Sequence, residues 1–190
     1  VQIVTPGTVI ENDNLESNRN NFLMTVYAAK NSIGVCYSDI STGFIETTEL
    51  SGDDRLKLLD DVLARVKPAE ILCNSAFVSE SYGLSAVKLS YVPAFYAKDE
   101  IFDYSKAKTM ILSQFSVNNL SALGIQDKKE VIVAVGAVLK YFEETQKRLV
   151  SNVKKLSVVQ DARFVHLDIL ARKNLELTQS NSLNQKKGSL

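Results

Sequence analysis

The sequence predicts an α/β protein in which an antiparallel meander is extended by parallel strands and flanked by helices. Two observations carry that expectation. Three runs of β-forming residues follow one another at hairpin spacing, and the apolar period then changes to that of a helix. A short apolar run after that helix is the mark of a buried parallel strand. Internal repeats and long low-complexity linkers are absent.

The opening stretch VQIVTPGTVIENDN begins as a short strand that Pro6-Gly7 breaks as a turn. Residues 22–29 (FLMTVYAA), 33–40 (IGVCYSDI) and 44–50 (FIETTEL) form the meander, joined through Lys30-Asn31-Ser32 and Ser41-Thr42-Gly43. Leu56, Leu59, Leu63 and Val66 then recur at helical spacing. Ser51 and Asp54 suggest a capping box before that helix, Asp53 and Asp54 favour its N-terminus electrostatically, and Pro68 ends it. Residues 69–74 (AEILCN) are the parallel strand, and a further strand is expected at 88–92, closed by Pro93.

Residues 99–115 read as one helix with Ile101, Tyr104, Lys108, Ile111 and Phe115 on one side. A compact turn at SVNNLSALGIQ precedes the strongest helix, with Asp127 as its cap and Glu130 at the third helical position. Val131, Val135, Val138 and Phe142 line one face of it. Glu143–Lys147 and Glu144–Arg148 are favourable pairs four residues apart, and the pattern runs to about Leu149. Short strands at 157–159 and 164–167 follow, then a helix from Asp168 to Leu177. From Thr178 the chain is rich in Asn, Gln, Ser and Lys and is expected to be mobile. Three antiparallel strands, a helix, a parallel strand and further helices make a sheet of ribonuclease H-like topology.

Composition narrows the function without naming it. A chain of 190 residues can bury a core without staples. No apolar run approaches the ~20 residues of a membrane-spanning helix, and a cytoplasmic setting is expected. Cys36 and Cys73 lie in apolar strand-like runs and read as small buried hydrophobes; no Cys/His spacing suggests zinc. Net charge is zero but divided, at −6 over residues 1–100 and +6 over 101–190. That division leaves an independent nucleic-acid-binding module as one alternative, although the cations form no dense cluster.

A ribonuclease H-like sheet raises a second alternative, a degenerate nuclease. Two-metal chemistry needs carboxylates converging on ions held about 4 Å apart, yet residues 22–29 and 71–74 contain no acid. Asp39 stands just before a turn, where hydrogen bonding to that turn accounts for it. Asp60-Asp61 fall on a solvated helix face. His166, the one histidine, has no Cys or second His partner at ligand spacing. No GxxxxGK[ST] phosphate loop occurs. No catalytic, cofactor-binding or metal-binding residue is therefore assigned.

Several stretches together resemble the MutS family of DNA mismatch-repair proteins. VTPGT (4–8), NRNNF (18–22) and SDISTGFIETTEL (38–50) are similar to the opening of its connector domain, and RVKPAEIL (65–72) to its helix-to-strand passage. LSALGI (120–125) and AVGAVLKYFEETQK (134–147) resemble later connector helices. HLDILARKNLELTQ (166–179) resembles the entry to the core, or lever, domain, with Ile169-Leu170 where the family usually has paired alanines and Lys173 where it has arginine. The matches keep their order along nearly the whole chain.

The resemblance implies a connector domain over residues 1–155 and the start of a core domain over 156–190. Val1 in place of an initiator methionine and the polar C-terminal stretch agree with a middle piece of a larger protein. It further implies a non-catalytic link between mismatch recognition and an ATPase, with ATP and Mg bound in another domain of the parent. Mismatched DNA would be read by other domains of a dimeric parent. A MutL-type partner would dock on the connector's helical face. For that docking Lys106, Thr109 and Gln114 are candidates as polar positions projecting away from the 101–111 stripe, Met110 as the adaptable apolar residue beside them, and Glu144 as an acid near the C-terminal end of the strongest helix that the local helix does not require. Thr109-Met110 stand where the family can carry an amide pair.

Overall fold

A computed structural model describes residues 21–39, 41–79, 95–145 and 153–159, with the side chains of 95–97 excepted. The meander is β1 (Leu23–Ala28), β2 (Ser32–Asp39) and β3 (Phe44–Ser51). β4 (Glu70–Cys73) lies parallel to β1, β5 (Phe95–Ala97) parallel to β4, and β6 (Lys155–Val158) parallel to β3. The order across the sheet is β5-β4-β1-β2-β3-β6. The ribonuclease H-like expectation is met: a meander first, then parallel strands added beyond β1 and one beside β3 at the other edge.

Register assigns each residue to a face. Thr25 pairs with Cys36 on one side and Leu72 on the other, while Val26 pairs with Val35 and Cys73. Leu23, Cys36, Ile45 and Leu72 enter one core; Met24, Val26, Val35, Ile71 and Cys73 enter the other. Both faces are covered, so the strands are apolar in long runs rather than in strict alternation. The two cysteines, buried on opposite faces, are free thiols.

Helix α1 (Arg55–Val66) covers one face with Leu59, Val62, Leu63 and Val66. The expected capping box is not made. Ser51 is the last residue of β3, and Asp54 occupies the N-cap without a side-chain cap bond. Register pairing with Ser32 holds Ser51 in the sheet, beyond the helix entry. At the other end Lys67 takes a left-handed conformation (φ 49°), and Pro68 follows. A single turn, α2 (Ser75–Val78), buries Phe77 in the same core.

The opposite face carries α3 (Tyr104–Gln114) and α4 (Lys129–Thr145). Residues 99–115 are not one helix. A 3-10 turn covers Asp99–Ile101, and α3 starts afresh because Asp103 accepts a hydrogen bond from Lys106 N at 2.8 Å as its N-cap. The restart moves Tyr104 and Lys108 to the exterior and buries Ala107 and Ile111. A second 3-10 turn, Leu120–Leu123, forms where the compact turn was expected.

α4 is the central helix. The four apolar residues anticipated on one face are buried, and so is every residue from Val131 to Leu139. The sheet lies beneath and α3 above, the arrangement that makes a helix apolar all round. Its first intrahelical bond, from Ile132 N, reaches Lys128 O, so Lys128 rather than Asp127 is the N-cap. Asp127 instead receives a bond from Gln126 Nε2. Gly34 explains how α4 sits so low: a Cβ there would be 2.1 Å from Glu130 O. Thr25 Oγ1 donates to Ala134 O at 2.8 Å, closing one buried polar group between β1 and α4.

Two other details differ from the expectation. β5 was not anticipated, and β6 begins two residues earlier than 157, with Val159 N still reaching Thr47 O. The proposed strands at 88–92 and 164–167, the Asp168 helix, the polar C-terminal stretch, His166 and the Lys147 and Arg148 ends of the two ion pairs lie outside the described residues.

Candidate functional site

Two acids are fully or nearly buried in the sheet, and they point apart. Glu70 pairs with Leu23 on the α4 face, where its Oε1 accepts the Tyr141 hydroxyl at 2.7 Å. Lys98 Nζ lies 5.1 Å from the centroid of that tyrosine ring. Asp39 is one residue beyond Ser38, the other partner of Leu23, and so faces the opposite side. Its Oδ1 accepts from Ser41 N and Ser41 Oγ at 2.9 and 2.6 Å, the turn role expected of it. Glu70 corrects the reading of residues 69–74 as wholly apolar. Its partner is 71 residues away, so no local pattern could have announced it.

Among the described residues no group of three or more His, Cys, Asp and Glu is placed to hold a metal ion. Asp60 and Asp61 are half-buried and engaged rather than fully solvated. Burial pushes the Cys36 thiol well up, with Glu46 adding to it, and pushes Cys73 up to about 12, with Asp99 adding. Both are held as unreactive thiols.

The feature with the shape of a binding site lies between α3 and α4. Gly136 and Ala107 bring the helices together so closely that a Cβ on Gly136 would be 2.2 Å from Cβ of Ala107. Beside that contact opens a cleft of about 460 Å³. Ile101, Ala107, Met110 and Gly136 give it an apolar lining, and Glu100, Ser105, Lys106, Thr109, Lys140 and Glu143 supply the polar groups. Lys140 Nζ lies 3.0 Å from Glu143 and 3.7 Å from Glu144, and the Glu143 hydrogen bond and charge hold its ammonium above its usual pKa.

Three of the five docking candidates, Lys106, Thr109 and Met110, line this cleft together. Glu144 does not line it but adjoins it through Lys140. Gln114 is elsewhere and half-buried, with Nε2 donating to Val153 O at 2.7 Å, so it ties α3 to the approach of β6. Glu100, Lys140, Glu143 and Gly136 were not anticipated. The small residues 107 and 136 were the available signal, but their pairing across two helices is invisible in one strand of sequence.

The architecture agrees with a family match. A family model described as MutS domain II matches residues 21–156. The chain belongs to the MutS family. It is 34% identical over 190 residues to the DNA mismatch repair protein MutS of Caldanaerobacter subterraneus, 34% over 191 to that of Halothermothrix orenii and 36% over 194 to that of Ruminiclostridium cellulolyticum. Each comparison covers 100% of this chain and 21–22% of the relative. The chain therefore spans about a fifth of the length of these MutS proteins. Within MutS domain II, the matched region takes in β1 through the start of β6, including both walls of the cleft. No helix among the described residues is long and apolar enough to cross a membrane.

Proposed function

We propose that this chain works as the connector of a MutS-type mismatch-repair protein: it links mismatch recognition to the ATPase and offers its α3–α4 face to a MutL-type partner. The observation that carries the docking surface is the cleft itself, where Lys106, Thr109 and Met110 converge beside the Lys140–Glu143–Glu144 charge group. An apolar depression with a few polar groups on its rim has the make-up of a recognition site. Separation of Asp39 and Glu70 onto opposite faces supports a linking role over nuclease chemistry, because two-metal catalysis requires acids that converge. With no phosphate loop in the sequence, ATP and Mg belong to another domain, and mismatched DNA is read by other domains of a dimeric, cytoplasmic parent.

Binding of the 190-residue chain to an N-terminal domain of a cognate MutL, measured by calorimetry, tests the docking reading. Reversing Lys106→Glu and Glu144→Lys together should weaken binding at least tenfold with the circular dichroism spectrum unchanged, since both side chains are exposed. Undiminished affinity in the double variant would reject this surface.

A further inference from the structure

We propose that the α3–α4 cleft receives an apolar side chain from an amphipathic segment of the docking partner, with a basic residue of that segment set against Glu143 and Glu144 and an acidic one against Lys106. This rests on the docking reading above and adds how the partner engages.

The floor is preformed. Ala107 and Gly136 are in contact, and both are buried in the α4-side core or beside it, so the depth of the cleft is set by backbone rather than by mobile side chains. Its lining is apolar at Ile101, Ala107 and Met110, and Met110 is half-buried against the same core, where a thioether can shape itself to an entering group. A volume of about 460 Å³, open to solvent along one side, is that of a groove able to take a large side chain.

Charge selects the occupant. Lys140 is satisfied within its own helix by two carboxylates, which leaves that group net negative. On α3, the Lys106 ammonium has no ion-pair partner among the described residues. An apolar anchor flanked by charges of both signs meets these demands together. An amphipathic helix laid in a groove presents such a set at three- and four-residue spacing. Anchors of this kind concentrate binding energy in the pocket they fill.

Thr109 gives the test. It is exposed on α3 and lines the cleft, so Thr109→Trp should fill the space without entering the core. Affinity for the MutL N-terminal domain should fall at least tenfold with the thermal midpoint unchanged. A second measurement is independent of filling. In Thr109→Cys the new thiol is accessible while Cys36 and Cys73, the chain's two native cysteines, are buried, so maleimide should label position 109 alone and the bound partner should block it.

If Thr109→Trp binds normally and labelling proceeds in the complex while the Lys106/Glu144 reversal still weakens binding, insertion is wrong and the docking face stands. If none of the three changes matters, both fall. Self-association of the unmodified chain that Thr109→Trp abolishes would make a second copy the occupant and overturn the proposal.

Discussion

Gly136→Ala sets two opposing effects against each other, and the structure decides the sign. Alanine in place of glycine in a helix interior gains about 1 kcal/mol of intrinsic propensity. Here, however, the added Cβ would lie 2.2 Å from Cβ and 2.5 Å from Cα of Ala107, against the ~3.5–4.0 Å at which carbon atoms attract. The Ala107 Cα cannot swing aside as a flexible side-chain end could, so the helices must part. Overpacking of this kind costs about 1–3 kcal/mol. With two backbone-anchored carbons this close the cost belongs at the upper end, about 2–3 kcal/mol, so the clash wins and leaves a net loss of about 1–2 kcal/mol. For a chain of this length that lowers the thermal midpoint by roughly 2–8 °C.

Ala107→Gly alone loses about 1 kcal/mol of helix propensity. Exchanging the two residues cancels the propensity terms and removes the Cβ–Cβ clash, but the Cα of residue 107 still lies 2.5 Å from the new Cβ, so the double variant should recover only part of the loss, a coupling of roughly 0.5–1 kcal/mol against the sum of the singles. Urea unfolding followed by circular dichroism measures all four corners of this cycle. A Gly136→Ala chain as stable as the unmodified one, or a double variant equal to the sum of the singles, refutes the close-contact reasoning.

Tyr141→Phe removes the donor to buried Glu70 and should cost about 1.5–3 kcal/mol in urea unfolding, more than Glu70→Gln, which keeps an acceptor in place. Asn74→Asp exchanges a donor for an acceptor opposite Ala28 O and should cost about 1–3 kcal/mol; equal stability of that variant at neutral pH would be inconsistent with the two-way bond. Burial raises the Glu46 pKa from its usual 4.5, offset in part by Arg65 and Ser157. The folded state therefore holds that proton more tightly than the unfolded chain does. Its stabilisation is present below the unfolded value and is lost as pH rises through the folded one. Glu46→Gln should gain on the unmodified chain as pH rises above 4.5, and a pH-independent difference would count against it.

The meander and α1 were legible because their signals are local. Turn residues separate β1, β2 and β3, and Leu59, Leu63 and Val66 repeat at helical spacing on a helix that buries them together. Where the reading failed, either a local cap had reset the helix or a contact from afar had overridden the local pattern. Asp103 restarts α3, and the residue buried next is Ala107, whose importance comes from Gly136 rather than from its own hydrophobicity. Glu70 breaks no pattern that a short apolar run would reveal, because Tyr141 satisfies it from α4. The cleft divides the same way. Lys106, Thr109 and Met110 share one helix and were found together, whereas Lys140 and Glu143 come from the other wall. Gln114 looked equivalent to them until Val153 arrived beside it.

The sheet itself offers a reason why the proposed partner site lies on helices. In open α/β sheets, ligands are usually taken in the crevice at the carboxyl ends of parallel strands. Here β4 ends at Cys73, which pairs with Val26, β1 runs two residues further to Ala28, and Asn74 follows β4 directly. Its Oδ1 accepts from Ala28 N at 2.9 Å and its Nδ2 donates to Ala28 O at 2.9 Å, so one carboxamide takes up both backbone groups of the β1 end. Asp99 Oδ1 receives Ser75 N at 2.7 Å and fastens the next residue as well. Among the described residues, Asn74 and Asp99 at that crevice are engaged in holding β1, β4 and the segment after β5 together. What remains open, with its charges incompletely matched, is the cleft where Gly136 lets α3 press against α4. Joining strands tightly at one end while presenting a preformed helical groove at another is the division of labour that the proposed linking role would call for.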